Sequence, residues 1–475
     1  MGYNLFTKTK NQPQETAEMK LSRKQVQFKA YGMPRLRFED QRLTSFSGLI
    51  LFQALIVKLD LRAKLRRCFR HLKTSSVYTY ATLVLALMVH LLLGFRQLRD
   101  IRFYRDDPMV QRLLALKRLP DVSTISRMLA QFDHPAIAKL RRLVQELVLD
   151  RLTELNLQRL TLDFDGSVIR TSRWAEGTAV GFNPKKKGQR SYYPLFCTLA
   201  QTGQILDVLH RSGNVHDSHG ALDFVRACVL AARSALPGAC IEVRMDSAFF
   251  SQAMVRRLKK LGTEFSISVA FHRFADLKQR VESRRRWHRL NADVSYFELS
   301  WKPKSWPRCS RFLVVRTRNP IRNRGPVQLD LFVPHVYGYE FKVIVTNKSI
   351  GARSVVAFHQ GRGTQEAVFG ELKSQGQLDY VPSRRWIGNQ VFLLACVLAH
   401  NLCRELQMAT RPQQRSTTPK RSPLWKFEKL ATIRHRLIQR AGRLIRPNGR
   451  QTLSLSANEA LKADLLNYLH ALLPP

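Results

Sequence analysis

Three stretches of the chain put carboxylates where chemistry could use them. RLTLDFD (159–165) alternates apolar and polar residues and stops at Gly166, so it reads as a strand ending in Asp165, with Asp163 two residues back on the same face. IEVRMD (241–246) reads as a further strand ending in Asp246. Ligands of open α/β layers bind beyond strand ends, which favours chemistry there over a plain capping role. The third stretch is HQGRGTQEAVFGELK (359–373). Wound as one helix at about 100° per residue from Arg362, it brings Glu366 to about 40°, Lys373 to about 20° and His359 to about 60°. Glu371 falls near ~180°, on a face expected to be solvated. Two or three carboxylates with Arg and Lys beside them suit phosphodiester cleavage with two hard divalent ions, held by carboxylate oxygens while the cations grip phosphate. No phosphate-binding loop exists, since the run Lys185, Lys186, Lys187 ends in Gly-Gln-Arg-Ser, so ATP use is not expected. That run reads instead as a loop contacting DNA backbone.

Such chemistry calls for a polyanionic partner, and the composition supplies the matching charge. Of 475 residues, 79 are Lys or Arg against 35 Asp or Glu, a formal charge of +44. With 44% apolar and 24% charged residues the chain is no disordered basic tail, and its length allows two to four domains. A surface this basic fits nucleic acid, and exceeds what a small acidic substrate would need. The seven cysteines are widely spaced without a C-x-x-C pair, which argues against a disulfide scaffold and a zinc finger. The first 20 residues lack the apolar core of a signal peptide. VYTYATLVLALMVHLLLGF (77–95) is nearly long enough to span a bilayer, but basic residues crowd both flanks, and it reads as a buried core helix rather than a membrane segment.

The elements that must position the carboxylates follow from the patterning. Residues 1–155 read as a helical N-terminal region, in which Pro120-Asp121 opens a helix that could end a helix-turn-helix. Residues 156–275 read as three strands, helix, strand, helix, strand. A basic stretch follows: residues 271–325 hold 15 Lys+Arg against 4 Asp+Glu and three tryptophans, and 276–352 read as an inserted β region. Helical character returns over 353–408, including WIGNQVFLLACVLAHNLCREL as a buried helix. Residues 409–475 read as a basic arm or peripheral domain, with 12 basic and 1 acidic residue over 411–450.

In this order the segments resemble the DDE transposases of bacterial insertion sequences, of the kind grouped as DDE domain group 1. DFDGSV is similar to that family's first-Asp strand, VRMDSAFF to its second, and His359–Lys373 to its Y-x2-R-x3-E-x6-K signature, with His359 at the tyrosine position. LTSFSGLILFQALIVKLDL, LPDVSTISRML and NQVFLLACVLAHNL also resemble family segments, so the likeness spans roughly residues 38–408. It implies an α/β fold: an RNase H-like mixed-sheet catalytic domain interrupted by a β-rich insertion, with an α-helical N-terminal domain that binds DNA. It implies a cut-and-paste transposase that cleaves at the inverted-repeat ends of its element and joins the 3′ ends to target DNA, as a homodimer on DNA, in the bacterial cytoplasm at the nucleoid. Asp165, Asp246 and Glu366 would hold two Mg²⁺ or Mn²⁺ ions, with Asp163 as the alternative to Asp165. Arg362, Lys373 and His359 would contact DNA. Trp301 and Trp306 could hold a flipped base or the DNA end, with core packing the ordinary alternative. A transposase-derived DNA-binding protein without nuclease activity, and a metal-dependent structure-specific nuclease, are the competing readings.

Overall fold

The computed structural model describes residues 33, 35–73, 77–181, 188–216, 218–318 and 338–473. The chain divides into two units, Met1–Gln41 and Arg42–Pro475. In the first, the described residues hold no helix or strand. The second opens with a short strand, β1 (Leu43–Thr44), and six helices: α1 (Leu49–Lys58), α2 (Leu61–Phe69), α3 (Tyr80–Leu93), α4 (Pro108–Leu114), α5 (Val122–Ala130) and α6 (His134–Leu155). The apolar run of 77–95 becomes α3. Thr79 caps it by accepting from the Thr82 amide, Gly94 ends it at φ 90°, and every residue but Thr82 is buried. Its 14 residues span roughly 21 Å, short of a bilayer's ~30 Å core.

The α/β core follows in the expected order. β2 (Arg159–Gly166), β6 (Leu195–Leu199) and β7 (Ile205–Leu209) form an antiparallel meander, and three short strands, β3 (Ile169–Arg170), β4 (Ala179–Val180) and β5 (Arg190–Tyr192), make a small separate sheet on the way. Then come α7 (Ala221–Ala235), β8 (Cys240–Met245), α8 (Gln252–Lys260) and β9 (Glu264–Val269). β8 runs parallel to both β2 and β9.

Beyond β9 the structure departs from the sequence reading. Helix α9 (Ala275–Glu282) leads to β10 (His288–Arg289), β11 (Val294–Trp301), β12 (Ser310–Arg318) and β13 (Tyr339–Thr346). These strands continue the same sheet, whose order is β10-β11-β12-β13-β9-β8-β2-β6-β7. β13 lies antiparallel along β9, from Val343 opposite Val269 to Thr346 opposite Ser266, and so covers an edge whose amides and carbonyls would otherwise lack partners. A basic composition had set this stretch apart, yet the charges sit mostly on the strands' exposed positions and at the turns, while Phe312, Val314, Val343 and Val345 join the apolar core beneath α8.

The C-terminal stretch is no arm either. α10 (Ala352–Gln360), α11 (Gly363–Gln375) and α12 (Trp386–Thr410) are followed by α13 (Leu430–Ile433), β14 (Gly442–Ile445), β15 (Thr452–Leu455) and α14 (Glu459–Leu472). β14 pairs with β1, and Arg434 is buried, donating to the carbonyls of Leu91 and Leu92 at the end of α3 and of Gln375 at the end of α11. A cation there answers the partial negative charge of two helix C-termini. Helices from both ends of the sequence thus share one core with α12. Among the described residues α12 alone is long and apolar enough to cross a bilayer, and 83% of its apolar window is buried inside the protein. All seven cysteines are free thiols.

Alternation gives the central strands two unlike faces. Leu160, Leu162, Phe164, Val243 and Met245 face the apolar core with α7 and α8. The other face carries Thr161, Asp163, Glu242, Arg244 and Ser266, all buried and polar. Glu242, fully buried, accepts from Arg421 at 2.8 and 2.9 Å, from Lys348 at 2.7 Å, from Arg159 at 3.0 Å and from Thr161 at 2.7 Å. Burial would raise its carboxyl, but the Arg421 hydrogen bonds and the Lys348 charge prevail and bring it down to about 2. Glu264, paired with Lys348 and Arg159, is lowered in the same sense.

A depressed carboxyl stabilises the fold above its usual value of 4.5 and loses that contribution as pH falls towards 2. For Glu242 this amounts to about 3 kcal/mol. Glu242→Gln should cost about 3–5 kcal/mol at neutral pH, because Arg421 would be left without its carboxylate and buried Lys348 with Glu264 alone. Its thermal midpoint should also fall less steeply than wild type's between pH 4.5 and 2. Equal midpoints at pH 7 would show that the network holds nothing.

Candidate active site

The parallel register of β2 and β8 decides which aspartates stand together. Asp163 lies opposite Arg244 and Phe164 opposite Met245, the last pair of the ladder, so Asp165 and Asp246 each follow directly after it, on adjacent strands and at the same end of the sheet. Asp163 is taken up elsewhere. It is fully buried, and Arg244, equally buried, donates to both its oxygens at 2.5 and 2.7 Å. Burial pushes the Asp163 carboxyl up, while the Arg244 and Arg362 charges act to keep it ionised. The role of alternative ligand does not fit it, because it is closed off from solvent by an equally buried guanidinium. Asp165 has its side chain 19% exposed, and accepts from the Gly166 amide at 2.9 Å as well as from Arg362. Asp246 turns the chain out of β8, its carboxylate accepting from the Ala248 amide at 3.0 Å.

The third carboxylate arrives on α11. The stretch 359–373 is two helices rather than one: α10 stops at Gln360, and α11 starts at Gly363 with Arg362 at its N-cap. The break follows from close packing. A Cβ at Gly361 would stand 1.9 Å from the Lys420 carbonyl and 2.0 Å from the Arg244 guanidinium. Arg244 Nη1 also donates to the carbonyls of Phe358 and Lys420, both at 2.9 Å, tying the end of α10 to the sheet. Gln365 seats α11, donating to the Asp163 carbonyl at 3.0 Å and to the Thr198 hydroxyl at 3.1 Å. Arg362 then reaches the Asp165 carboxylate at 3.1 Å and lies 3.8 Å from that of Glu366, whose side chain is 67% exposed. One guanidinium therefore stands between the first and third carboxylates.

Other expected residues fall differently. His359 is buried between two serines, its ring nitrogens 3.0 Å from Ser266 Oγ and 2.8 Å from Ser268 Oγ. Burial, reinforced by the charges of Lys342, Arg362 and Arg244, pushes its pKa well down, so it is a neutral wedge under α10 and not a DNA contact. Trp301 and Trp306 are core residues. Trp301 donates to Asp276 at 2.7 Å, and Trp306 packs on Phe250, 5.0 Å between ring centroids, bracing the loop that follows Asp246. Glu371 is not solvated: it pairs with Arg404 at 2.7 Å and accepts from the Leu430 amide. Lys373 is partly exposed, roughly 16 Å further along α11 than Arg362. Lys185, Lys186 and Lys187 lie outside the described residues. The cation that sequence reasoning missed is Lys342 on β13. Its side chain is accessible; partial burial and the Arg362 charge lower its pKa, while Glu340 and then Glu366 act the other way. Only the pairing of β13 with β9 brings it there, and that pairing was not legible in the patterning.

Residues 28–474 match the transposase DDE domain group 1 family. The chain belongs to that family. The family places it in DNA transposition, with DNA as its partner, and a charge of +44 has the sign that task needs. No curated protein matches the chain significantly. Among solved structures, a piggyBac transposase synaptic complex with hairpin DNA is similar at 11% identity and a TM-score of 0.40, over 90% of this chain and 86% of that one.

DDE transposases generally use divalent metals, and an oxygen-only donor set of Asp165, Asp246 and Glu366 has the right chemistry for a hard cation. Among the described residues no three such groups already converge on a metal-sized point. Arg362, between Asp165 and Glu366, competes for the same oxygens. Arg362→Ala should therefore tighten Mn²⁺ binding about five-fold, the worth of a part-exposed ion pair of ~1 kcal/mol, when followed by calorimetry without DNA. Unchanged affinity would mean that the guanidinium does not guard the carboxylates.

Proposed function

We propose that this chain is a cut-and-paste transposase of the bacterial insertion-sequence kind, with an RNase H-like catalytic core. The observation that supports the reading is that Arg362 bridges Asp165 and Glu366 beside the sheet end at which β8 gives way to Asp246. The element order of β2 to β9 supports the RNase H-like core. Asp165, Asp246 and Glu366 would hold two Mg²⁺ or Mn²⁺ ions. When bound, these would activate a water, and later the DNA's own 3′-OH, as nucleophile and would stabilise the leaving oxygen of an in-line displacement. Arg362 would release its carboxylates and turn to a DNA phosphate, a fork geometry that guanidinium shares with both partners. Lys342 and Lys373 would add positive charge along the strand being cut. Cleavage at inverted-repeat ends and joining of the freed 3′ ends to target DNA would use the same residues in turn, without ATP. Two ends must be brought together, so a homodimer on DNA is expected, at the nucleoid.

A second reading has one observation in its favour. With Arg362 seated between Asp165 and Glu366, no three-ligand cluster stands ready among the described residues, as a DNA-binding derivative without nuclease activity would show. The test is incubation of the purified protein with a plasmid carrying the DNA that flanks its gene, with Mg²⁺, beside Asp246→Asn and Glu366→Gln. Cutting at the element ends should fall at least about a thousand-fold in each variant, in line with loss of a group acting only on the transition state, while DNA binding persists. Equal cutting by all three proteins would overturn the site. Tight binding with no cutting by wild type would favour the DNA-binding derivative, and cutting at branched DNA regardless of end sequence would favour a structure-specific nuclease.

A further inference from the structure

The segment after α12 returns to the catalytic helix pair as an ordered loop without helix or strand. Its base is closed by the amides of Gln414 and Arg415 on the Leu424 carbonyl, both at 3.0 Å, and by a small apolar cluster of Met408, Leu424 and Trp425. Leu424 in turn donates to Gln201, at the hairpin joining β6 and β7. Its far end is fixed from beneath. The Lys420 carbonyl takes a hydrogen bond from buried Arg244, and Arg421 sends its guanidinium down to Glu242. Arg421 holds a left-handed backbone, φ 54°, which a non-glycine residue adopts only when its surroundings dictate it. The backbone of this loop is thus pressed against Gly361, one residue before Arg362.

What the loop shows to solvent is unlike what holds it. Residues 412–420 are all exposed. Arg415 and Lys420 form no ion pair with a carboxylate among the described residues, whereas Arg421, next in sequence, is consumed by Glu242. Ser416, Thr417 and Thr418 add exposed hydroxyls, and Pro412 and Pro419 stiffen the backbone. Two cations with no carboxylate partner among the described residues thus line one exposed loop, Lys420 at the end that meets Gly361 beside Arg362 and Arg415 at its base, a spacing that suits successive phosphates of a strand running along it.

We propose that residues 415–420 form a DNA-binding lip, in which Arg415 and Lys420 contact backbone phosphates of the strand that crosses the carboxylate site. The lip rests on the proposed DNA-cleaving function, and it adds a sequence-independent grip at the site itself.

The test is fluorescence anisotropy of a labelled duplex carrying the element end, over a salt titration, with wild type, the double variant Arg415→Ala/Lys420→Ala and the charge-keeping pair Arg415→Lys/Lys420→Arg. Both side chains are exposed, so thermal midpoints should be unchanged. The double variant should bind about ten-fold more weakly, with the slope of log affinity against log salt reduced by about 2, for end and unrelated duplexes alike, and the charge-keeping pair should match wild type. A wild-type slope and affinity in the double variant would overturn the lip while leaving the proposed function intact. Wild type that binds no DNA would overturn both.

Discussion

The buried pair of Asp163 and Arg244 is the contact on which the candidate active site depends. Arg244 spends its donors on two strands' worth of structure: two on Asp163 of the neighbouring strand, one shared by the carbonyls that end α10 and the 415–420 loop. Two opposite charges without solvent are costly to bury unless every donor and acceptor is met, and here the geometry meets them. Apolar residues of the same volume would pack as well. They would not specify where α10 ends, nor leave Gly361 as the residue that fits. The polar face of the sheet thus works as a locating surface, and Glu242 repeats the device one step back along β8.

The same accounting tempers the net charge. Arg151, Arg159, Arg244, Arg404, Arg421 and Arg434 are turned to carboxylates or helix-end carbonyls, so these six of the 79 basic residues serve the fold. Guanidinium suits this because it reaches several acceptors in fixed directions. Arg362 stands between the two classes, part exposed and paired with groups that also suit a metal.

The carboxylates were legible in the sequence because strand ends are. Alternation in RLTLDFD and IEVRMD stops where β2 and β8 stop, and their parallel ladder ends at Phe164 and Met245, one residue before each aspartate. The pattern alone left Asp163 and Asp165 open, since both lie on one face, and only the partner opposite each separates them. Helical spacing in 359–373 put Arg362 near Glu366 correctly. It failed at His359 and Glu371, because a wheel knows nothing of the chain break at Gly361 or of Arg404 waiting on α12. Sheet membership of β11 to β13 and the docking of the C-terminal stretch are long-range facts, and local composition pointed the other way in both.

The meeting of the two ends of the second unit bears on how the protein is made. β1 at Leu43–Thr44 has its ladder partner at Gly442–Ile445, and α1 rests against α14, so the helices of 49–155 have no finished core until residues 442–472 are available. Domains usually complete themselves as they emerge from the ribosome. Here loop closure spans almost the whole chain, and early helices as apolar as α3 must wait with their surfaces uncovered. A chain cut short before α14 would carry the entire carboxylate set and still lack the seal that makes it a folded enzyme. Premature termination therefore removes the protein's competence at a point where none of its chemistry has been lost.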